Sequence, residues 1–323
     1  MSQTVLTPTA FGRTLTRMTD LRDTLRSITH ETAPAEVTAT AKLSLLDTLG
    51  VGIAAGHFDL SQIITRYAHA QHAGPLPIPF TGGTAAATGV ALAMGMTIDA
   101  LDGHDGYNPA KGHIGCGLVA GLTALALERP TTGADILTAL IRGYEAGARF
   151  ATTLHATAAD YHTSGAWIAP TIALAGGLMR GLTDSQIAHA MGIAEYHGPR
   201  SQMMRCIDHP TMLKDGSGWG AMAGVSAILL AEAGFTGAPA LTVEGAAWDD
   251  LGTRWETPTQ YYKPYPVCRW AQGPIDAVLA LKRTHRITSQ DVAKITIISF
   301  HEATRLATTN PQNTEEAQYS TDF

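Results

Sequence analysis

The stretch TAAATGVALAMGMTIDAL, residues Thr84–Leu101, decides the fold class. Apart from Asp99 it carries no charged residue, and its small and apolar side chains would lie on every face of a helix. A helix without a polar face has to be surrounded by other elements, so we predict that this helix is fully buried. The protein is therefore expected to be mainly α, with further helices packed around this one.

Apolar residues at helical spacing predict those neighbours. Upstream, Leu43, Leu46, Leu49 and Ile53 predict a first core helix through LSLLDTLGVGIAAG. A Pro-rich segment at 75–83 is predicted to be a loop with a short extended piece. The other predicted helices are Leu60–Ala73, Ile114–Ala126, Ala134–Phe150, Ala166–Arg180, Asp184–Ala194, Gly220–Ala233 and Gly273–Arg283, with Thr132 and Thr183 as candidate caps.

Composition narrows the class of protein. The 323 residues are 45% hydrophobic and 15% charged, which favours closely packed helices over disorder. The formal net charge is −6 and no run of Lys or Arg occurs, so no nucleic-acid partner is expected. Three separated cysteines exclude a disulfide scaffold and indicate a reducing compartment, so we predict a cytoplasmic protein. The longest apolar stretches are too short and too interrupted to predict a membrane span.

The composition and the hydrophobic pattern of the chain change after Trp255. YYKPYPVCRW, residues 261–270, is a loop rich in Pro and aromatic residues, and VAKITIISF, Val292–Phe300, is the only convincing strand. We therefore predict a helical domain at 1–262 and a smaller α+β lid domain at 263–323.

The loop LDGHDGYNPAKGHIGCG, Leu101–Gly117, joins two predicted buried helices. Polar groups on such a loop are directed into whatever cleft the helices leave, whereas the alternative is a solvated surface loop. The acids and histidines of this loop could ligate a metal ion, but the i, i+4 spacing of specific zinc pairs is absent and no Cys joins them. We predict no metal. The titratable residues of the loop are Asp102, His104, Asp105, Tyr107, Lys111 and His113.

Three further segments could carry chemistry. Residues 195–222 contain several basic side chains, among them those of Arg200 and Lys214, and such a segment could bind a carboxylate ligand. The alternative is again a solvated loop. His162 lies just before a core helix, where a structural histidine is the ordinary finding. Lys263 and Arg269 lie at the predicted domain junction, where ligands tend to bind.

Five segments in this order resemble the MmgE/PrpD family, which contains 2-methylcitrate dehydratase, cis-aconitate decarboxylase and iminodisuccinate epimerase. The resemblance implies a large helical domain with a smaller α+β lid, a homodimer, no metal or organic cofactor, and an active site in the cleft between the domains. The segments are LLDTLGVGIAAG, ALDGHDGYNPAKGH, LKDGSGWGAMAGVSAILLAEAGFTG, KPYPVCRW and EEAQYSTDF.

Matched to the family position by position, Asp102 stands for the acidic residue of the first loop and His113 for its histidine. His162 falls where the family has a second histidine, Lys214 on the lysine of a K-x-x-H-x-G-W segment, and Lys263 on a basic residue of the lid loop.

The match has departures. The spacing from Lys214 to Trp219 is one residue shorter than in the family, and the intervening histidine is absent. Gly106 stands where the family has Thr, with one extra residue near Lys111, and Phe323 where the decarboxylases have a Tyr that closes the site. Family chains continue beyond EAQYS, so the resemblance implies an incomplete lid.

The shared chemistry of the family is the movement of a proton next to a carboxylate, which needs a base and cations that stabilise the developing dianion. We therefore predict a lyase for a small di- or tricarboxylate, most simply a 2-methylcitrate-like dehydratase. An epimerase of an imino- or aminodicarboxylate, a cis-aconitate decarboxylase and an inactive carboxylate-binding protein stay open. The predicted catalytic residues are His113, Lys214, Asp102 and His162, and the predicted substrate-binding residues are Arg200, Lys263, Arg269 and Tyr107.

Overall fold

The computed structural model of the protein describes residues 21–306 and 309–323, and it is mainly helical as predicted. Residues 21–27 are helical and are called α1. The elements that follow are α2 (Ala35–Ala55), α3 (Asp59–Gln71), β1 (Leu76–Pro77), β2 (Thr84–Ala85), α4 (Ala87–Ala100), α5 (Gly115–Glu128), α6 (Gly133–Thr157), α7 (Gly165–Met179), α8 (Asp184–His197), α9 (Met203–Asp208), α10 (Ser217–Glu232), α11 (Leu241–Gly245), α12 (Arg269–His285) and α13 (Thr314–Gln318).

Helix α4 is the centre of the fold, and the prediction that it is buried is confirmed. Every residue of α4 except Thr88 is buried, and α2, α3, α5 and α10 pack around it. A Cβ on Gly95 would lie 2.6 Å from the Cα of Gly218, so α4 and α10 cross in backbone contact. This crossing brings the end of α4 next to the start of α10, and Ser217 N donates to Asp99 Oδ2 at 3.3 Å.

Helix α2 forms where predicted, but the predicted core face is wrong. Its buried residues are mostly small and include Ala41, Ser44 and Gly52, whereas Leu46 and Ile53 are 68% and 69% exposed. Small side chains let α2 approach α4 and α6 closely, and the larger apolar residues then point outward. Among the described helices α2 alone is long and apolar enough to cross a bilayer, a test that core helices of soluble proteins also pass.

Local signals set several helix starts. Thr132 begins α6 and Thr183 begins α8, each with a capping box in which side chain and backbone exchange hydrogen bonds with the third helical residue, so both predicted caps are confirmed. Helix α9, by contrast, lies in the part of the segment 195–222 for which no helix was predicted.

The predicted strand at Val292–Phe300 is wrong. In the described part of the chain the only sheet is the two-stranded β1–β2 pair, and residues 292–300 form neither helix nor ladder. A strand exists only through hydrogen bonds to a neighbour, and no described segment pairs with this one. Its apolar residues are exposed accordingly, with Ile298 at 95%.

A second, smaller core lies beside the loop Leu101–Gly117, here called the polar loop. It includes Met203 and Cys206 of α9, Cys268 before α12, and Leu306 and Tyr319 near the end of the chain. Tyr261 is tied to the polar loop, since its amide and carbonyl exchange hydrogen bonds of 2.9 and 3.0 Å with Gly106. Five of the eight predicted site residues converge at the junction between the two cores: Asp102, His113, Lys214, Lys263 and Arg269. The domain boundary at 262/263 stays a prediction.

Candidate active site

Three residues at this junction have backbone conformations that side chains rarely adopt. Asp102, Lys111 and Lys214 have φ values of 54°, 53° and 51°. None of them is Gly or Asn, so each carries a conformational cost that the surrounding packing has to offset. Such positions concentrate at functional sites, and these three lie around one cavity or directly behind its wall.

His113 lies at the start of α5 and is held as a neutral base. Its Nδ1 is 2.7 Å from the carbonyl oxygen of Asp105, which can only accept, so Nδ1 carries the proton and Nε2 keeps a free lone pair. Burial, then the nearby charges of His104 and Lys263, lower the pKa of His113 well below its ordinary value. The imidazole is therefore unprotonated at neutral pH.

His104 has the opposite environment. Its Nε2 is 3.3 Å from Asp99 Oδ1 and its Nδ1 is 3.3 Å from the Asp105 carbonyl oxygen. Burial lowers the pKa of His104, but the neighbouring Cys116 and Asp99 outweigh burial and raise it. Two acceptors around one ring require both nitrogens to donate, which is the protonated form. The ring of His104 is 4.3 Å from that of His113, and its charge keeps His113 neutral.

Asp102 and Lys263 form a buried ion pair. Lys263 Nζ is 2.7 Å from Asp102 Oδ1 and 2.9 Å from the Asp102 carbonyl oxygen, and the side chain of Lys263 is 0% exposed. Burial raises the pKa of Asp102, but the charges of Lys263 and then Lys214 lower it to about 2. Asp102 Oδ2 has no hydrogen-bond partner among the described residues. One carboxylate oxygen thus remains available to a ligand.

The second buried lysine, Lys214, is held by the segment around α13. Its Nζ donates to Gln318 Oε1 and lies 4.7 Å from the centroid of the Tyr319 ring. Gln318 in turn donates to the carbonyl oxygen of Ala100 at 2.9 Å, so α13 is bound to the end of α4. The chain after residue 313 therefore forms part of the site.

These groups surround a cavity of about 70 Å³. Of the predicted site residues, His113, Asp102 and Arg269 line it, while Lys263 and Lys214 lie behind its wall in contact with Asp102 and Tyr319. The full lining is Asp102, Asn108, Lys111, His113, Met203, Asp215, Tyr261, Cys268, Arg269, Trp270 and Tyr319.

The other three predicted site residues lie away from this cavity. The Tyr107 hydroxyl donates to Glu256 at 2.7 Å, away from the cavity. Arg200 lies at a different surface pocket, 3.8 Å from Glu195, with its side chain 43% exposed. His162 is half-buried beside His155, and its Nδ1 is 2.9 Å from the carbonyl oxygen of Asp160.

The structure also brings in residues that the sequence analysis had not assigned to the site. Asp215, Tyr261 and Tyr319 line the cavity, and Lys111 lies at its mouth with Nζ 4.5 Å from the ring centroid of Tyr161. In the sequence, the only signal for Asp215 was its position next to Lys214, and the only signal for Tyr319 was the EAQYS motif. Neither signal predicts where the side chain points.

Three residues at this site lie close enough together to be considered as ligands of a cation. Asp102, His104 and His113 each offer a ligand atom, and these atoms lie within 4.8 Å of one another. However, the ammonium of Lys263 already occupies Asp102 Oδ1, and both ring nitrogens of His104 are directed to acceptors, the Asp99 carboxylate and the Asp105 carbonyl. Lys111 and Arg269 line the cavity, and Lys214 lies behind its wall. This positive charge exceeds the negative charge of the one ionised carboxylate among the described lining residues, Asp102, so an anion is favoured over a metal ion.

Two domains of one known protein family match the chain. The MmgE/PrpD N-terminal domain matches residues 19–257, and the MmgE/PrpD C-terminal domain matches residues 265–323. The chain belongs to the MmgE/PrpD family. No curated protein matches the chain significantly over its sequence.

The structure shows what surrounds two of the positions at which the chain departs from the MmgE/PrpD pattern, Gly106 and Phe323. At Gly106, where the family has Thr, a Cβ would lie 2.3 Å from the hydroxyl oxygen of Tyr261, so the Tyr261 ring fills the place of a side chain. Phe323, at the position of the decarboxylases' Tyr, is 81% exposed and does not line the cavity. Tyr319 supplies a phenol to this cavity instead.

Proposed function

We propose that this MmgE/PrpD protein is a lyase that removes water from a small hydroxy di- or tricarboxylate, as a 2-methylcitrate dehydratase does, without a metal or organic cofactor. The observation that carries the proposal is the neutral His113 in a small cavity that Lys111 and Arg269 also line, with Lys263 and Lys214 behind its wall. We also propose a homodimer in the cytoplasm, in line with what the family resemblance and the cysteine content imply.

His113 is the proposed base. A proton next to a carboxylate is very weakly acidic, and a base removes it at neutral pH only if the product dianion is stabilised. Nε2 of His113 is free to take the proton because Nδ1–H is directed to the Asp105 carbonyl. That hydrogen bond also fixes the ring, so the base does not have to be oriented during the reaction.

Cations at and behind the cavity wall are the proposed stabilisers of the dianion. Arg269 lines the cavity, with its guanidinium 4.6 Å from the Tyr261 ring centroid, and can contact a substrate carboxylate directly. Lys263 and Lys214 add charge from behind the wall, where the low dielectric makes Coulomb interactions strong. Asp102 holds Lys263 in place through its Oδ1. The other predicted roles, of Arg200, Tyr107 and His162, have no contact with the cavity to support them.

One NMR time course in D₂O tests the reaction class. We would incubate the protein separately with 2-methylcitrate, cis-aconitate and iminodisuccinate. Loss of water from 2-methylcitrate supports the proposal. Loss of CO₂ from cis-aconitate would replace it with a decarboxylase, and α-deuteration of iminodisuccinate with inversion would replace it with an epimerase. Citrate binding without any turnover would leave a carboxylate-binding protein.

The site assignment has a matched control. His113→Gln should abolish turnover with the helical circular dichroism unchanged, because glutamine cannot act as a base. His57→Gln, at an exposed histidine outside the cavity, should keep the wild-type rate. Near-normal turnover of His113→Gln would overturn the assignment.

A further inference from the structure

The dehydration proposed above needs a proton donor for the leaving hydroxyl as well as a base. His113 is unprotonated at neutral pH, and His162 does not line the cavity. Of the phenols at the cavity, burial raises the pKa of Tyr261 and of Tyr319 well above the ordinary value, so neither exchanges a proton readily near pH 7. The donor has to come from another lining residue.

Asp215 has the geometry for this step. It lines the same cavity as His113, and its residue is only 3% exposed. The Ser164 hydroxyl donates to Asp215 Oδ2, while Asp215 Oδ1 has no hydrogen-bond partner among the described residues. Ser164 Oγ also accepts from the His113 amide at 2.9 Å, so one serine positions both residues. A buried carboxyl oxygen without a partner costs free energy unless it carries a proton or meets a ligand.

The charged neighbours of Asp215 favour its protonated form. Burial, then repulsion from the Asp99 carboxylate of α4, raise the pKa of Asp215 to about 7, and His104 and Ser164 only partly offset them. The titratable groups facing it from α9 and from the two later segments are the Cys206 thiol, the Cys268 thiol and the Tyr319 phenol, whose pKa values are all raised. The ammonium of the adjacent Lys214 is directed to Gln318.

We propose that Asp215 is the proton donor to the leaving group of this site, acting together with the base His113. This inference rests on the proposed dehydratase function. The Cα–H bond breaks and its proton goes to His113 Nε2, while the electron pair forms the carbon–carbon double bond. The carbon–oxygen bond breaks, and the hydroxyl leaves as water with the proton of Asp215. Through solvent, the proton on His113 is released and Asp215 is reprotonated, so the net change is loss of one water molecule.

Asp215→Asn separates this role from a structural one. Asparagine keeps an oxygen that can accept from Ser164 but cannot give up a proton. We expect water loss from 2-methylcitrate to fall by about 100-fold or more, the usual contribution of a general acid. Exchange of the Cα proton with D₂O should persist, because it needs only His113. In His113→Gln both signals should disappear, and in the exposed variant Asp276→Asn both should remain at the wild-type rate.

Two outcomes would overturn the inference. One is an equal loss of exchange and elimination in Asp215→Asn, which indicates a positioning or folding role. The other is elimination at the wild-type rate with an unchanged pH profile. If the wild-type protein acts on none of the acids, the proposed function fails, and infrared spectroscopy still tests the protonation. A carbonyl band of a protonated carboxyl group at pH 6 that is missing in Asp215→Asn shows that Asp215 carries a proton, and its absence from the wild type overturns the inference.

Discussion

Replacing Lys263 with methionine tests the central ion pair of the site. Methionine has a similar length but no charge, so Asp102 would be left buried with an unpaired carboxylate. The lowering of the Asp102 pKa from 3.8 to about 2 corresponds to roughly 2.5 kcal/mol at about 1.4 kcal/mol per unit. Breaking a buried pair typically costs about 3–5 kcal/mol. We therefore expect Lys263→Met to lower the free energy of unfolding by about 3 kcal/mol at pH 7.

The pH dependence has a defined sign. The pKa of Asp102 is lowered in the folded protein, so the stabilisation by the pair is complete above the ordinary aspartate pKa near 4 and is lost as the pH falls towards 2. In Lys263→Met the buried, unpaired Asp102 takes up a proton at a higher pH than it does in the wild type, so the difference between the two proteins should be largest at neutral pH and should shrink as the pH falls. Urea unfolding followed by circular dichroism measures this difference at each pH.

Two variants make the experiment decisive. Lys282→Met removes an exposed lysine of α12 and should leave the unfolding midpoint unchanged. The double variant Lys263→Met/Asp102→Asn should be more stable than Lys263→Met alone, because the unpaired charge is gone. A single variant as stable as wild type, or a double variant no better than the single one, would refute this account of the pair.

Three further predictions follow from contacts of single residues. Gly106→Ala would place a Cβ 2.3 Å from the Tyr261 hydroxyl oxygen and should cost about 1–3 kcal/mol in thermal unfolding, whereas Gly133→Ala, with open space around it, should cost far less. Thr132→Ala removes a capping box and should cost about 1 kcal/mol in urea unfolding; an unchanged midpoint would contradict the cap. The pKa of folded His113 is lowered, so only the unfolded chain gains a proton there as the pH falls below about 6.5, and stability is lost. His113→Gln should flatten the dependence of unfolding free energy on pH between 5 and 7.

The helices could be predicted from the sequence because their signals are local. The apolar period of α4 and the capping residues Thr132 and Thr183 act within a few residues of chain, and the structure confirms them. The orientation of a helix is not a local property. In α2 both faces are apolar, so only the partners α4 and α6 decide that the small face is buried and that Leu46 and Ile53 point outward. The strand predicted at Val292–Phe300 fails for the same reason, since a ladder depends on a second segment.

For the site, too, some features are determined by the sequence alone and others only by the tertiary structure. Sequence alone determined the mainly helical fold, the family, and the polar loop that carries Asp102 and His113, because residue type and order are sufficient for those conclusions. Only the tertiary structure decided that Asp215 and Tyr319 share a cavity with them and that Arg200 does not. The physical reason is that protonation and contact depend on neighbours distant in sequence: a carbonyl at Asp105 makes His113 a base, and burial beside Asp99 favours a proton on Asp215.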